Sequence, residues 1–172
     1  MISMKTTLVA AMMCLLMAFP VYAADGKIGV VDFQKVLALS SAGKAAKEQI
    51  TKEGKKMEDE LKVKGDEIEE LKKKLEKEAP VMSKEARDEK ERDIRIKIVD
   101  AQALQKKYSG DFKNFEGKLI KEIQKDVFDI VEDLGKKDGY QLIIEKTAVM
   151  YAPESVDITD KLIQTYNSKK SK

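Results

Sequence analysis

Across residues 34–137 apolar side chains return at alternating steps of three and four, with charged residues filling the positions between. That period belongs to amphipathic helix, one stripe turned inward and the rest solvated. Pro80 is the single proline of the stretch and stands near its middle. It removes a backbone donor and disfavours helical geometry at Ala79. The pattern predicts two long helices folded back on each other, with a tip at residues 79–83. The first carries a seam of Ile50, Met57, Leu61, Ile68, Leu71 and Leu75, interrupted by Lys47, Gly54 and Lys64. At about 1.5 Å per residue it would be roughly 65 Å long, more than a globular domain of this size needs. The second starts behind a Ser83 cap with Glu85 in its first turn, and stops at Lys137 before Asp138-Gly139. Its seam is Ile94, Ile98, Ala101, Gln105, Tyr108, Phe112, Phe115, Leu119, Ile123, Val127, Ile130 and Leu134.

Folding about residue 81 sets Ile94 against Ile68, Ala101 against Leu61, Tyr108 against Gly54, Phe112 against Ile50 and Leu119 against Gly43. Gly43, Gly54 and Gly65 recur every eleven residues, three helical turns, and so share a face; Gly110 and Gly117 lie on the second helix. Each glycine costs about 1 kcal/mol relative to alanine within a helix. Two readings stand: the glycines let the arm bend, or they make room for large neighbours.

Outside the hairpin the period shortens. Residues 27–33 and 140–145 read as strands, 146–148 as a turn and 149–151 as a returning strand. Asp157 caps a last helix over 158–166, and 168–172 form a polar, basic tail. Three short strands and one short helix bury little apolar surface, and at ~25 cal/mol per Å² that hardly offsets chain entropy. The base is therefore expected to share its sheets between subunits through Ile28, Val30, Leu142, Ile144, Val149 and Tyr151. The expected fold class is α+β: a long antiparallel coiled-coil hairpin over 34–138, inserted into a small β-rich association body of 24–33 and 139–167.

The beginning of the chain reads differently again. Lys5 precedes an apolar run from Leu8 to Phe19, and Val21-Tyr22-Ala23 suits signal peptidase. Residues 1–23 are read as a cleaved export signal; a retained anchor is the alternative, for which the apolar run is short. Cys14 leaves with the signal, so no disulfide is available to the exported chain. The chain has 33 basic and 31 acidic residues, and removing Lys5 leaves 32 against 31. A balance that even argues against nucleic acid as a partner.

Catalytic groups are scarce. There is no histidine or tryptophan, so zinc, haem and thiol chemistry lack their usual residues. Gly43-Lys44 is followed by Ala45, and no glycine stands five residues before Gly43, so no phosphate loop is present and no nucleotide is expected. No cofactor, metal or enzymatic activity is expected. The many carboxylates sit among lysines on solvated helix faces.

Three stretches resemble one family: 24–32 (ADGKIGVVD), Leu142-Ile143-Ile144 with Ala148-Val149-Met150-Tyr151, and 156–162 (VDITDKL). With the charged hairpin between them they look like the Skp/OmpH family of periplasmic chaperones, in order along the whole mature chain. The resemblance implies a jellyfish-shaped homotrimer whose three arms enclose a cavity. It implies an ATP-independent holdase that carries unfolded outer-membrane β-barrel proteins through the periplasm. It also implies lipopolysaccharide or the membrane surface as a partner, but no residue of this chain is assigned to that role. Well-known members are strongly basic; this arm is nearly balanced, which shifts weight from electrostatic to apolar capture.

Apolar residues off the seam are the candidates for client contact: Val63, Ile96, Val99 and Leu104 on the helices, Val81 and Met82 at the tip. Ile96 and Val99 have a second reading, as a widened internal seam. The rival function is a non-catalytic coiled-coil spacer or adaptor in the cell envelope.

Overall fold

The computed structural model describes residues 26–170. The export signal and its cleavage site lie outside the described residues. Strand β1 (Lys27–Val31) leads into α1 (Phe33–Leu39) and α2 (Ser41–Glu78). A single 3-10 turn (Ala79–Val81) precedes α3 (Lys84–Asp138), β2 (Tyr140–Glu145) and α4 (Thr159–Lys170). β1 and β2 pair in parallel, Ile28 opposite Leu142 and Val30 opposite Ile144. Parallel neighbours need a crossover connection; here the crossover is the whole α2–α3 arm.

The tip follows its local chemistry, with one difference. Ala79 keeps helical dihedrals of −49° and −39°, and Pro80 takes the second position of a 3-10 turn, within the first turn where its missing N–H costs little. Ser83 caps α3, its Oγ accepting the Ala86 N–H at 3.2 Å. Gly139 ends α3 in the left-handed region at φ 73°, its N–H donating to Gly135 O at 3.1 Å. Asp157 Oδ1 accepts the Thr159 N–H at 2.8 Å where α4 begins. That helix continues through Lys170, so the expected polar, basic tail is helical as far as the described residues reach.

The first arm helix is not continuous with its approach. Ser40 divides it, ending α1 and capping α2 with an Oγ that accepts the Gly43 N–H at 3.0 Å. A Cβ at Gly43 would stand 1.9 Å from the Leu37 carbonyl oxygen. Gly43 thus serves this elbow and not Leu119 on the opposite helix. The pairing along the arm is also shifted by one helical turn from a fold about residue 81. Phe112, not Tyr108, lies against Gly54, 3.1 Å from where a Cβ would be.

The base core gathers Val31, Val36, Ala46, Ile123, Val127, Ile130, Leu134, Ile158, Leu162, Ile163 and Tyr166. Most of these come from helices, because α3 runs its last turns straight into the base. The C-terminal segment is stitched to β1: Ile158 N–H donates to Val30 O at 2.9 Å, and Asp32 N–H to Thr159 Oγ1 at 2.9 Å. Tyr166 is fully buried and donates its hydroxyl to Asp126 Oδ2 at 2.8 Å. The returning strand over 149–151 is absent. Lys146–Ala148 form a 3-10 turn, and Met150 and Tyr151 project into solvent with no strand beside them among the described residues. Val149 has extended dihedrals, but extended backbone needs a neighbouring strand to become sheet.

Candidate functional site

Two surfaces stand out once the side chains that pack are set aside. The first is the arm above the base. Between Ala46 and Ile123, Ile94 is the sole buried apolar side chain. Leu61, Ile68, Leu71, Leu75, Ile98, Ala101 and Phe112 are each half-buried. Two helices can cover each other along one line only, so the stripe shows at both flanks of the seam. Leu75, Ile94 and Ile98 floor a cavity of about 520 Å³ between the helices near the tip. Ile68, Ala101 and Leu104 line a smaller one of about 270 Å³.

Polar pairs cross between the arm helices. Lys97 Nζ reaches Glu67 at 2.7 Å, Lys90 reaches Glu78 at 3.4 Å, and the Tyr108 hydroxyl donates to Glu60. The Lys97 hydrogen bond holds the Glu67 carboxyl below its ordinary range and raises Lys97 in turn. Glu60 likewise raises Tyr108. These groups are solvated, so the pairs set register more than they add stability.

The predicted client residues fall in different places. Val63, Val81, Ile96 and Val99 are exposed, at 65%, 88%, 52% and 61%. Met82 and Leu104 are half-buried, Leu104 at the edge of the seam. Ile96 and Val99 do not widen the seam. At about 100° per residue they sit roughly 140–160° round α3 from Ile94, and Val63 is equally far round α2 from Ile68. They therefore face away from the partner helix on opposite sides of the arm and do not form one patch with Val63. Gly65, Gly110 and Gly117 have nothing within 4 Å of a Cβ position, so they make room for no neighbour; Gly54 does.

The second surface is the sheet. Pairing puts Ile28, Val30, Leu142 and Ile144 on one face, with Val31 and Ile143 turned to the core on the other. Ile28 and Leu142 are 47% and 51% exposed, and Tyr151 84%. Ile144 and Val149 are half-buried, and Val30 is already buried within the chain. Phe128 escaped the sequence reading, which took only its neighbour Val127 as seam. It is 63% exposed beside a groove of about 430 Å³ lined with Phe33, Val131, Ile143 and Ile144. Its sequence signal was present: an aromatic one position off the apolar stripe.

Among the described residues no group of His, Cys, Asp or Glu is placed to hold a metal ion, and no helix is long and apolar enough to cross a membrane.

Known proteins share this architecture. A family model described as outer membrane protein (OmpH-like) matches residues 27–166. A Skp-like protein of Pseudomonas aeruginosa is 28% identical over 152 residues, covering 88% of this chain and 90% of that protein. A crystal structure from Caulobacter crescentus, described as an outer membrane chaperone (OmpH-like), superposes with a TM-score of 0.79 at 14% identity, covering 84% of this chain and 85% of that one. With the match running from the first strand into the last helix, the chain belongs to the OmpH-like family.

Proposed function

We propose that the protein is an ATP-independent periplasmic holdase, binding unfolded outer-membrane β-barrel proteins and keeping them from aggregating in transit. The observation that carries this reading is the arm's half-buried seam. A long rod standing clear of its core keeps a stripe of apolar side chains partly in water, along both flanks of the seam. Such a surface suits many weak contacts with chains of differing sequence. Barrel strands alternate apolar and polar residues and leave their backbone unpaired before insertion, so in water they aggregate.

The half-exposed sheet face supports association of subunits. In this reading three chains cover Ile28, Leu142, Ile144, Val149 and Tyr151 against one another, and the arms enclose a hollow. Clients would meet Val81 and Met82 at the tips and Ile96, Val99 and Val63 along the helices; of the six candidates Leu104 alone sits in a cavity beside the Lys97–Glu67 pair, the least open to a client. With charge nearly balanced, lipopolysaccharide or a membrane surface would be a secondary partner.

Dilution of a urea-denatured porin into buffer tests the reading. A holdase suppresses the light scattering of the aggregating porin at near-stoichiometric amounts and without nucleotide. Scattering that rises as fast with the protein as without it would refute the reading and leave an envelope spacer.

A further inference from the structure

The two flanks of the arm, either side of its seam, differ in chemistry. One is laced. The Lys90–Glu78, Lys97–Glu67 and Tyr108–Glu60 pairs all cross from α3 to α2 there. Their members are spaced by seven and eleven residues on each helix, whole numbers of turns, so the three crossings share a flank. The cavity with Ile68 and Leu104 opens on that same flank, beside the Lys97–Glu67 pair.

The opposite flank has no such crossing among the described residues. Its upper part is the groove floored by Leu75, Ile94 and Ile98, with charges of both signs at the rim, among them Lys72, Glu76, Glu91 and Arg95. Rotating down α3 from Ile98 by about 100° per residue keeps Gln102, Gln105 and Ser109 on this flank. All three are exposed and uncharged. Across from them α2 brings half-buried Leu61 and the open site at Gly65.

We propose that this open flank is the surface on which extended segments of an unfolded barrel protein lie. The proposal rests on the holdase reading and names the face that serves it. The complementarity is chemical. The floor takes apolar side chains, while the amides of Gln102 and Gln105 and the Ser109 hydroxyl each donate and accept. They answer unpaired backbone N–H and C=O groups alike, whatever the sequence. On the laced flank a client would have to part or desolvate pairs that tie the two helices together, whereas the Arg87–Glu91 and Arg95–Glu91 pairs at the open rim stay within α3 and need not be broken. A third helix is the rival occupant of a two-helix stripe. A helix docks on a row of apolar side chains, and below Ile98 this flank presents Gln102, Gln105 and Ser109 instead.

Asp100 and Gln102 stand at the same height, Asp100 at the laced cavity and Gln102 on the open flank. In a Cys14→Ser background, Asp100→Cys and Gln102→Cys are each labelled with bimane. Each is then mixed with urea-denatured porin on dilution, with scattering recorded in the same cuvette. The Gln102 label shifts to the blue and loses its quenching by iodide, whereas the Asp100 label keeps both. Equal responses, or a response at Asp100 alone, overturn the flank assignment while suppressed scattering leaves the holdase standing. Protection of the Gln102 label before porin is added means another arm covers the flank, and overturns it too. Unsuppressed scattering defeats both readings together.

Discussion

Gly43→Ala places a methyl where the α1–α2 elbow has no room. Its Cβ would stand 1.9 Å from the Leu37 carbonyl oxygen and 2.7 Å from the carbonyl carbon. Both are backbone atoms, so relief requires the elbow to open by roughly 1 Å against a fully buried Ser40. Overpacking of that kind costs about 1–3 kcal/mol, while alanine regains about 1 kcal/mol of helix propensity. The lost Ser40–Gly43 cap adds about 1 kcal/mol to the loss. The net is a destabilisation of about 1–3 kcal/mol. Gly65→Ala provides the control, because nothing lies within 4 Å of its Cβ position. It should gain up to about 1 kcal/mol. Urea unfolding followed by far-UV circular dichroism measures both, at one fixed protein concentration because association of subunits would make stability depend on it. Opposite signs are expected. A Gly43→Ala protein as stable as the parent would refute the closed elbow and with it the account of how the arm is aimed.

Acid should loosen α4. Burial acts to raise Asp126, but hydrogen bonds from Lys170 and Tyr166 outweigh it and hold the carboxyl low; Lys169 and Lys161 do the same for Asp133 and Asp138. Carboxyls lowered on folding stabilise above the ordinary value near 3.8 and lose that contribution as pH falls through their folded values. The Tm should therefore drop below that pH, less steeply in Asp126→Asn. Tyr166→Phe removes the buried hydrogen bond to Asp126 and should cost about 1 kcal/mol in urea unfolding without changing helicity. Ile96→Ser with Val99→Ser changes two exposed side chains, so helicity and mass should hold while protection of a denatured porin weakens; full protection would remove both from the client surface.

What could be read from the sequence was what neighbours in the chain decide. Pro80, the Ser83 cap, the Gly139 stop and the Asp157 cap each act within a few residues, and each stands where its chemistry placed it. The apolar stripe over 94–134 was equally plain, since one helix repeats it eight or more turns. The register between helices was not. A tip that spends residues 79–83 on a 3-10 turn and a cap moves every cross-helix pair by a turn, which put Phe112 against Gly54. The elbow at Ser40 was hidden because Gly43 fits a helix pattern; only the Leu37 carbonyl, brought back in space, explains it. The strand expected at 149–151 has β-rich residues, but the chain leaves β2 through the Lys146–Ala148 turn and does not return along its outer edge. At the candidate site, exposure of Val63, Ile96 and Val99 was foreseen. That the seam residues themselves stay half in water was not, because periodicity marks which side faces inward and not how completely two helices cover it.

The mass of the purified protein in native buffer, alone and after dilution of a urea-denatured porin into it, bears most directly on what the arm is for. The account predicts a three-chain assembly that takes up porin and stays soluble. A single-chain mass that is unchanged by porin would contradict it.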